Sequence, residues 1–236
     1  MGNFPIGVVT LLIVSILIYF GIAHRVLDRM RMTDRAALAV IALIIIGSFI
    51  DLPVTGRMTI NLGGIIPVIV AFYVLFQAGT AKEWVRAVVA AAVTALVLFL
   101  TSKVMGAEPE NMFVDPLYVY PVVGGVTGYL AGRSRRGAFF AAVVGVMALD
   151  IGQYVWLTRV GGPGVVHVGG AGAFDALVLS GILAVLLAEG VGEIRERLQG
   201  GPSREGRSEA LVENLQEPGA EPARKPLMEQ RGDEIE

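Results

Sequence analysis

The sequence predicts an all-α fold, a polytopic bundle of about seven transmembrane helices followed by a disordered tail. Hydrophobic residues make up 54% of the 236-residue chain, and the mean hydropathy is +0.66. Only 17% of the residues are charged, whereas soluble domains have about 25%. The apolar residues also gather in runs of about 20, the length of a helix that crosses a bilayer. These observations indicate an integral membrane protein whose main partner is lipid.

Seven apolar runs fit a membrane span, and short polar or basic segments separate them. They cover residues 4–23, 36–54, 58–79, 84–102, 113–132, 138–157 and 174–192. The basic residues near the first run follow it rather than precede it, which is the reverse of a secretory signal peptide. We therefore interpret it as a permanent span and expect one transmembrane domain over residues 1–199.

The basic residues between the runs predict the orientation of the protein. With the N-terminus outside, 16 Lys and Arg residues would face the cytoplasm and three would face the exterior. Because Lys and Arg are enriched in cytoplasmic loops, the sequence predicts an N-out, C-in topology.

Residues 200–236 differ in composition from the rest of the chain. They contain four prolines, no aromatic residue, and nine acidic residues against five basic ones. Such a segment cannot bury enough apolar surface to fold alone. We expect a disordered, acidic cytoplasmic tail.

Polar residues inside the apolar runs are the strongest functional feature. A carboxylate in hydrocarbon is costly, usually faces protein or water, and often marks a functional site. The predicted topology places five such residues in the outer half of the membrane: Asp51, Asn61, Asp115, Asp150 and Asp175. Their convergence predicts an outer-half site that binds a cation, a proton or the polar end of a small solute.

Asp150 interrupts an apolar run far from any predicted helix end. It lies about 18 Å into the sixth span, just past the membrane midplane. Gln153 and Tyr154 follow at i+3 and i+4, which places all three on one helix face. We expect these three side chains, a polar stripe on the helix, to belong to the predicted binding site. The alternative is that they only form a structural hydrogen bond to a neighbouring helix.

The other carboxylates have structural alternatives. Asp115 precedes a proline and Asp175 follows a glycine-rich segment, so either residue could be an ordinary helix N-cap. Asp51 could simply meet the membrane interface. His167 could be a ligand or could cap its loop, and no set of side chains has a strong metal-binding spacing. With no cysteine in the chain, thiolate sites are excluded, and we expect no metal, no cofactor and no nucleic-acid partner.

Glycine and proline residues suggest how the helices pack. Gly124, Gly128 and Gly132 recur every four residues, a spacing that lets helices approach closely. Packing is the favoured interpretation of these residues, and the alternative is that Pro67 and Pro121 break their helices at a site, as in transporters.

The predicted outer loop, residues 159–173, contains six glycines, among them Gly169, Gly170 and Gly172. This loop could be re-entrant, because irregular backbone at membrane depth is tolerated against protein or a water-filled cavity.

Four segments carry a resemblance to a known family: "IGSFIDLPV", "NLGGIIP", "VDPLYVYPVVGG" and "GGAGAFDALVLSGILAVLLA". They resemble an uncharacterised prokaryotic family of multi-pass membrane proteins, a domain of unknown function. The resemblance covers about residues 36–190 and is most specific at the glycine–Phe–Asp segment. It implies a bacterial or archaeal plasma-membrane protein and supplies no activity.

A second, weaker resemblance concerns chemistry. Intramembrane aspartyl proteases of the presenilin and signal-peptide-peptidase type have one aspartate inside a span and a second at the start of the next, after Gly-x-Gly. By this resemblance Asp150 and Asp175 would form the catalytic dyad, although two residues separate the glycine pair from the aspartate in "GAGAFD". Paired carboxylates that share a proton can activate water.

Three functions therefore remain open from the sequence. The favoured one is the handling of an ion or small solute at the outer carboxylates. The second is the intramembrane aspartyl protease. The third is a non-catalytic assembly or scaffold protein whose aspartates only hold helices together.

Overall fold

The computed structural model describes residues 6–77, 80–105, 116–161, 164–170 and 176–198. By its internal contacts the chain divides into two units, Met1–Gly192 and Glu193–Glu236. Of the second unit the structure describes only the last residues of one helix, up to Leu198. The predicted disordered tail lies outside the described residues.

The described chain is mostly helical, as the sequence predicted. Its helices are α1 (Ile6–Tyr19), α2 (His24–Arg29), α3 (Asp34–Gly47), α4 (Leu62–Phe76), α5 (Ala81–Met105), α6 (Pro116–Gly132), α7 (Arg135–Val160) and α8 (Ala176–Leu198).

Three helices contain a segment that is long and apolar enough to cross a membrane: Ala81–Val104, Arg135–Val160 and Ala176–Arg195. Two shorter apolar helices cover Val9–Tyr19 and Leu62–Phe76. These lengths and compositions fit a membrane protein, while seven spans and their orientation remain predictions.

A small sheet corrects the all-α prediction. Its strands are β1 (Asp51–Thr55), β2 (Met58–Asn61) and β3 (Val166–Val168), in the order β1-β2-β3. β1 and β2 form an antiparallel hairpin, and β2 pairs in parallel with β3.

The hairpin replaces residues that the sequence analysis assigned to two spans. The run 36–54 ends as a helix at Gly47, and the run 58–79 starts as a strand before α4 begins. Short apolar runs do not distinguish strand from helix by periodicity. Pro53 is compatible with β1 because β1 is an edge strand, where a missing N–H breaks no ladder.

Side-chain caps determine where three helices begin. Thr33 accepts a hydrogen bond from the Ala36 amide at the start of α3, at 3.2 Å. Ser134 accepts from Gly137 at the start of α7, at 3.0 Å, and Asn61 caps α4. Such caps satisfy amides that have no partner within the helix.

Helix α7 packs against α4, α5 and α6 and against β3. Phe140 is almost fully buried there, with its ring 5.1 Å from that of Phe72. On α6, a Cβ atom at Gly128 would lie 2.8 Å from the Ala142 amide nitrogen of α7. The backbones of α6 and α7 are therefore in close contact at this glycine.

The proline residues do not break their helices. Pro67 lies inside α4 and Pro121 inside α6, and both helices continue past them. Each proline lies in the second turn of its helix, where its missing N–H removes one i→i−4 hydrogen bond without ending the helix. The expectation of helices broken at these prolines is therefore wrong.

Candidate functional site

Asn61 is the best-connected of the polar residues that the sequence singled out. Its side chain is buried, and its Nδ2 donates to the Ser48 carbonyl at 3.0 Å and to Asp51 Oδ1 at 2.9 Å. Its Oδ1 accepts from the Gly64 amide at 3.3 Å, which caps α4. One amide side chain thus joins the end of α3, the first residue of β1 and the first turn of α4.

Asp51 lies in a strand and not at a helix end. It is the first residue of β1 and pairs across the hairpin with Asn61. Although Asp51 is exposed, the Asn61 amide holds its carboxylate beside the start of α4.

A second contact joins the start of α4 to the turn after β3. A Cβ atom on Gly64 would lie 2.2 Å from the Gly169 carbonyl oxygen and 2.5 Å from its Cα. Gly169 has a φ of +75°, a conformation that glycine adopts without steric cost. Two glycines at this point therefore let the two backbones touch.

Asp150 reaches the same turn from α7. Its Oδ2 accepts a hydrogen bond from the Gly169 amide at 3.1 Å, and the residue is half-buried. Asp150 and Asn61 are thus linked through the contact of Gly169 with Gly64. We call Asp51, Asn61, Gly64, Asp150 and Gly169 the outer polar cluster, after the side of the membrane on which the sequence predicts these residues.

The polar stripe predicted around Asp150 is only partly directed toward protein. Tyr154 is half-buried, whereas Gln153 is exposed. Since α7 presents Gln153 away from its neighbours, the structure does not bring this side chain to the outer polar cluster.

His167 lies in β3 opposite Thr59 of β2, and its Nδ1 is 2.6 Å from the Thr59 hydroxyl. The Gly170 amide also donates to the His167 carbonyl at 3.1 Å. Part of the predicted outer loop is therefore a paired strand with a tight turn.

Several predicted site residues cannot be placed. Asp115, Asp175 and Gly172 lie outside the described residues. The geometry of the proposed protease dyad is consequently not described, because one of its two carboxylates is among them.

A second polar group, which the sequence analysis missed, lies at the start of α7. Arg135 Nε donates to Glu189 of α8, and both side chains are only 15% exposed. Glu83 of α5 accepts from the Ser134 hydroxyl at 3.0 Å and lies 4.0 Å from Arg136 Nε. We call these five residues the inner polar cluster.

The signal for the inner polar cluster was present in the sequence. Glu189 is an acidic residue within the apolar run 174–192. Its partner Arg135 lies in a basic segment, 133–136, which the sequence analysis used only to predict the orientation.

The two polar clusters are separated by an apolar layer. Between Arg135 and Asp150 the axis of α7 rises about 22 Å at 1.5 Å per residue. Phe140, Val143 and Val146 lie in that interval and are buried. Asp150 is therefore far from both ends of α7 and stands at the level where α4 begins.

The outer polar cluster contains two carboxylates, those of Asp51 and Asp150. Its two carboxylates supply hard oxygen atoms, which suit a proton or an alkali or alkaline-earth cation. Within the described ranges, no three or more His, Asp or Glu side chains are close enough to hold a metal ion by themselves.

Comparison with known proteins identifies a family. The model of one family, described as "Protein of unknown function (DUF1614)", matches residues 26–187, more than half of the chain. No curated protein and no solved structure matches the chain. The sequence resemblance to an uncharacterised family is thus confirmed, and the chain belongs to the DUF1614 family of proteins of unknown function.

Proposed function

We propose that this chain is a multi-pass protein of a prokaryotic plasma membrane and binds a cation or a proton at the outer polar cluster. The observation that carries the proposal is the position of Asp150, a half-buried carboxylate in an apolar part of α7. Ionisable side chains at such depth are costly and usually serve binding or transport.

The orientation of the chain follows from its basic residues. An N-out, C-in arrangement keeps 16 of the 19 Lys and Arg residues on the cytoplasmic side. With Arg135 at the inner boundary of a hydrocarbon core about 30 Å thick, Asp150 lies about 8 Å below the outer boundary. An ion from the exterior therefore has a short path to the carboxylate.

The backbone of the Gly169 turn holds the Asp150 carboxylate. The Gly169 amide donates to Asp150, and the N-terminal end of α4, with its positive dipole, lies beside Gly169. A carboxylate at this depth attracts a cation or a proton. Asp115 and Asp175 belong to the proposed site by sequence alone.

The test is an ion flux measurement on the full chain in proteoliposomes. Proton, Na⁺ and K⁺ gradients are imposed in turn, and a dye specific for the ion reports its entry. We expect flux for one of these ions, and a loss of about tenfold or more in Asp150→Asn. The matched control is Asp28→Asn, because Asp28 is an exposed aspartate of α2.

Two results would overturn the proposal. One is a flux that Asp150→Asn leaves unchanged in folded protein. The other is no flux and no ion-dependent change in thermal stability, with Asp150→Asn only lowering that stability. The second result would indicate the scaffold function, in which the aspartate merely holds the Gly169 turn against α7.

A further inference from the structure

A groove on the exposed face of α5 combines positive charge with an apolar surface. It has a volume of about 480 Å³ and lies against Ala131 near the end of α6. Its other principal lining residues are Lys82, Val85, Arg86, Val89 and Val93.

Near the start of α5, the basic and acidic side chains lie on different faces of the helix. Lys82 and Arg86 are one turn apart and both exposed on the groove side. Glu83 instead turns toward Ser134 and Arg136 of the inner polar cluster. Within the part of the chain that the structure describes, no carboxylate pairs with Lys82 or Arg86.

The apolar surface continues from the two cations along α5. Val85, Val89 and Val93 are 64%, 56% and 42% exposed and recur every four residues. From Lys82 to Val93 the helix rises about 16 Å, which matches one leaflet of a hydrocarbon core about 30 Å thick.

We propose that this groove binds one anionic glycerophospholipid of the cytoplasmic leaflet. The lipid phosphate lies at Lys82 and Arg86, and one acyl chain lies along Val85, Val89 and Val93. Basic pockets between helices on the cytoplasmic side recognise anionic head groups. An anionic lipid fits this groove because two cations without a carboxylate partner among the described residues lie at the start of an apolar path along α5.

This inference rests on the proposed membrane orientation, with the start of α5 on the cytoplasmic side. It does not depend on ion binding at the outer polar cluster, because the groove and that cluster share no residue.

The experiment is native mass spectrometry of the detergent-purified full chain. Phosphatidylglycerol or phosphatidylcholine with identical acyl chains is added, and the retained lipid is counted. We expect the anionic lipid to be retained preferentially. Each cation removed should weaken its retention about fivefold, so Lys82→Gln/Arg86→Gln should lose about 25-fold.

Two further variants separate charge from shape. The control Lys103→Gln/Arg159→Gln removes the same amount of charge in the last turns of α5 and α7, away from the groove. It should retain the lipid as well as the unmodified chain does. Val89→Trp fills the groove without changing the charge and should weaken retention of both lipids. Circular dichroism and gel filtration verify that every variant is folded.

Equal retention of the two lipids by the unmodified chain would overturn the proposal, as would undiminished retention by Lys82→Gln/Arg86→Gln. Displacement of the lipid by millimolar inorganic phosphate would also overturn it, because the site would then recognise only the phosphate. Carbonate extraction distinguishes the two proposals. If it removes the chain from membranes, the proposed function fails as well. If the chain stays in the membrane but shows no lipid preference, only this inference is refuted.

Discussion

Gly64 and Gly169 bring two distant parts of the chain into backbone contact beside Asn61. A methyl group has no room there, since a Cβ on Gly64 would meet the Gly169 carbonyl oxygen at 2.2 Å. The sequence showed that these glycines stand in glycine-rich segments. It could not show that the two segments contact each other, because that contact depends on the parallel pairing of β3 with β2.

The first prediction concerns this contact. Gly64→Ala should lower the free energy of unfolding by about 3 kcal/mol, because backbone atoms would have to move. Thermal unfolding in detergent measures the change. The control is Gly152→Ala on α7, where a Cβ would have nothing within 4 Å; it should be neutral or stabilise by about 0.5 kcal/mol. Equal stability of Gly64→Ala and the parent chain would contradict the contact.

The second prediction concerns His24, in α2, outside the apolar helices. Hydrogen bonds with Asp34, at 3.1 Å to each oxygen, and the charge of Asp28 raise the pKa of His24 above its usual value. This contact stabilises the fold fully below the unfolded pKa of about 6.5, and the stabilisation is lost as the pH rises through the higher folded pKa.

An NMR titration of the imidazole protons tests this. Asp34→Asn should shift the midpoint of His24 toward lower pH. A midpoint of His24 that does not respond to Asp34→Asn would show that the carboxylate has no influence on it.

At the scale of elements, the long helices were predictable and the sheet was not. The runs 84–102, 138–157 and 174–192 correspond to α5, α7 and α8 within a few residues, because an apolar run of that length has no other stable form in a bilayer. β1 and β2 were included in two predicted spans because each adjoins a long apolar run and contributes apolar residues to it, such as Leu52 and Ile60. β3 has only three residues and forms through a partner far away in the sequence.

The third prediction concerns the ion pair that joins α7 to α8. Glu189→Gln should lower stability by about 3 kcal/mol, because it leaves the Arg135 guanidinium buried beside an uncharged partner. Arg135→Gln/Glu189→Gln should recover much of that loss, since neither site then buries a charge. Thermal unfolding of the two variants side by side gives the comparison. If the double variant is the less stable one, the pair does not act as a buried ion pair.

On the scale of the whole molecule, the two polar clusters lie at different levels of the helices, with a buried apolar layer between them. The outer one was partly predictable, because Asp51, Asn61 and Asp150 interrupt apolar runs. Its connections were not, since they pass through the Gly169 amide and the Asn61 side chain. Of the inner one, only Arg135 and Arg136 entered a prediction, that of the orientation, while Glu83 and Glu189 entered none.

The fourth prediction is the orientation itself. The chain has no cysteine, so single Arg57→Cys and Arg35→Cys variants each carry one thiol, and both positions are exposed. A membrane-impermeant maleimide added to intact cells should label Arg57→Cys, in the β1–β2 turn. It should label Arg35→Cys, at the start of α3, only after the membrane is permeabilised. The opposite pattern would reverse the topology and place the outer polar cluster on the cytoplasmic side.

The parallel pairing of β2 with β3 also determines when the sheet can be completed during synthesis of the chain. Thr59 and His167 face each other across 108 positions of sequence. At a synthesis rate of about 5–20 residues per second, roughly 5–20 s pass between the two strands leaving the ribosome. During that interval the first hairpin presents an unpaired strand edge while α5, α6 and α7 are made. A newly made chain therefore acquires its Gly169–Asp150 hydrogen bond only late, so a protein halted before residue 166 exposes an edge that chaperones or proteases can recognise.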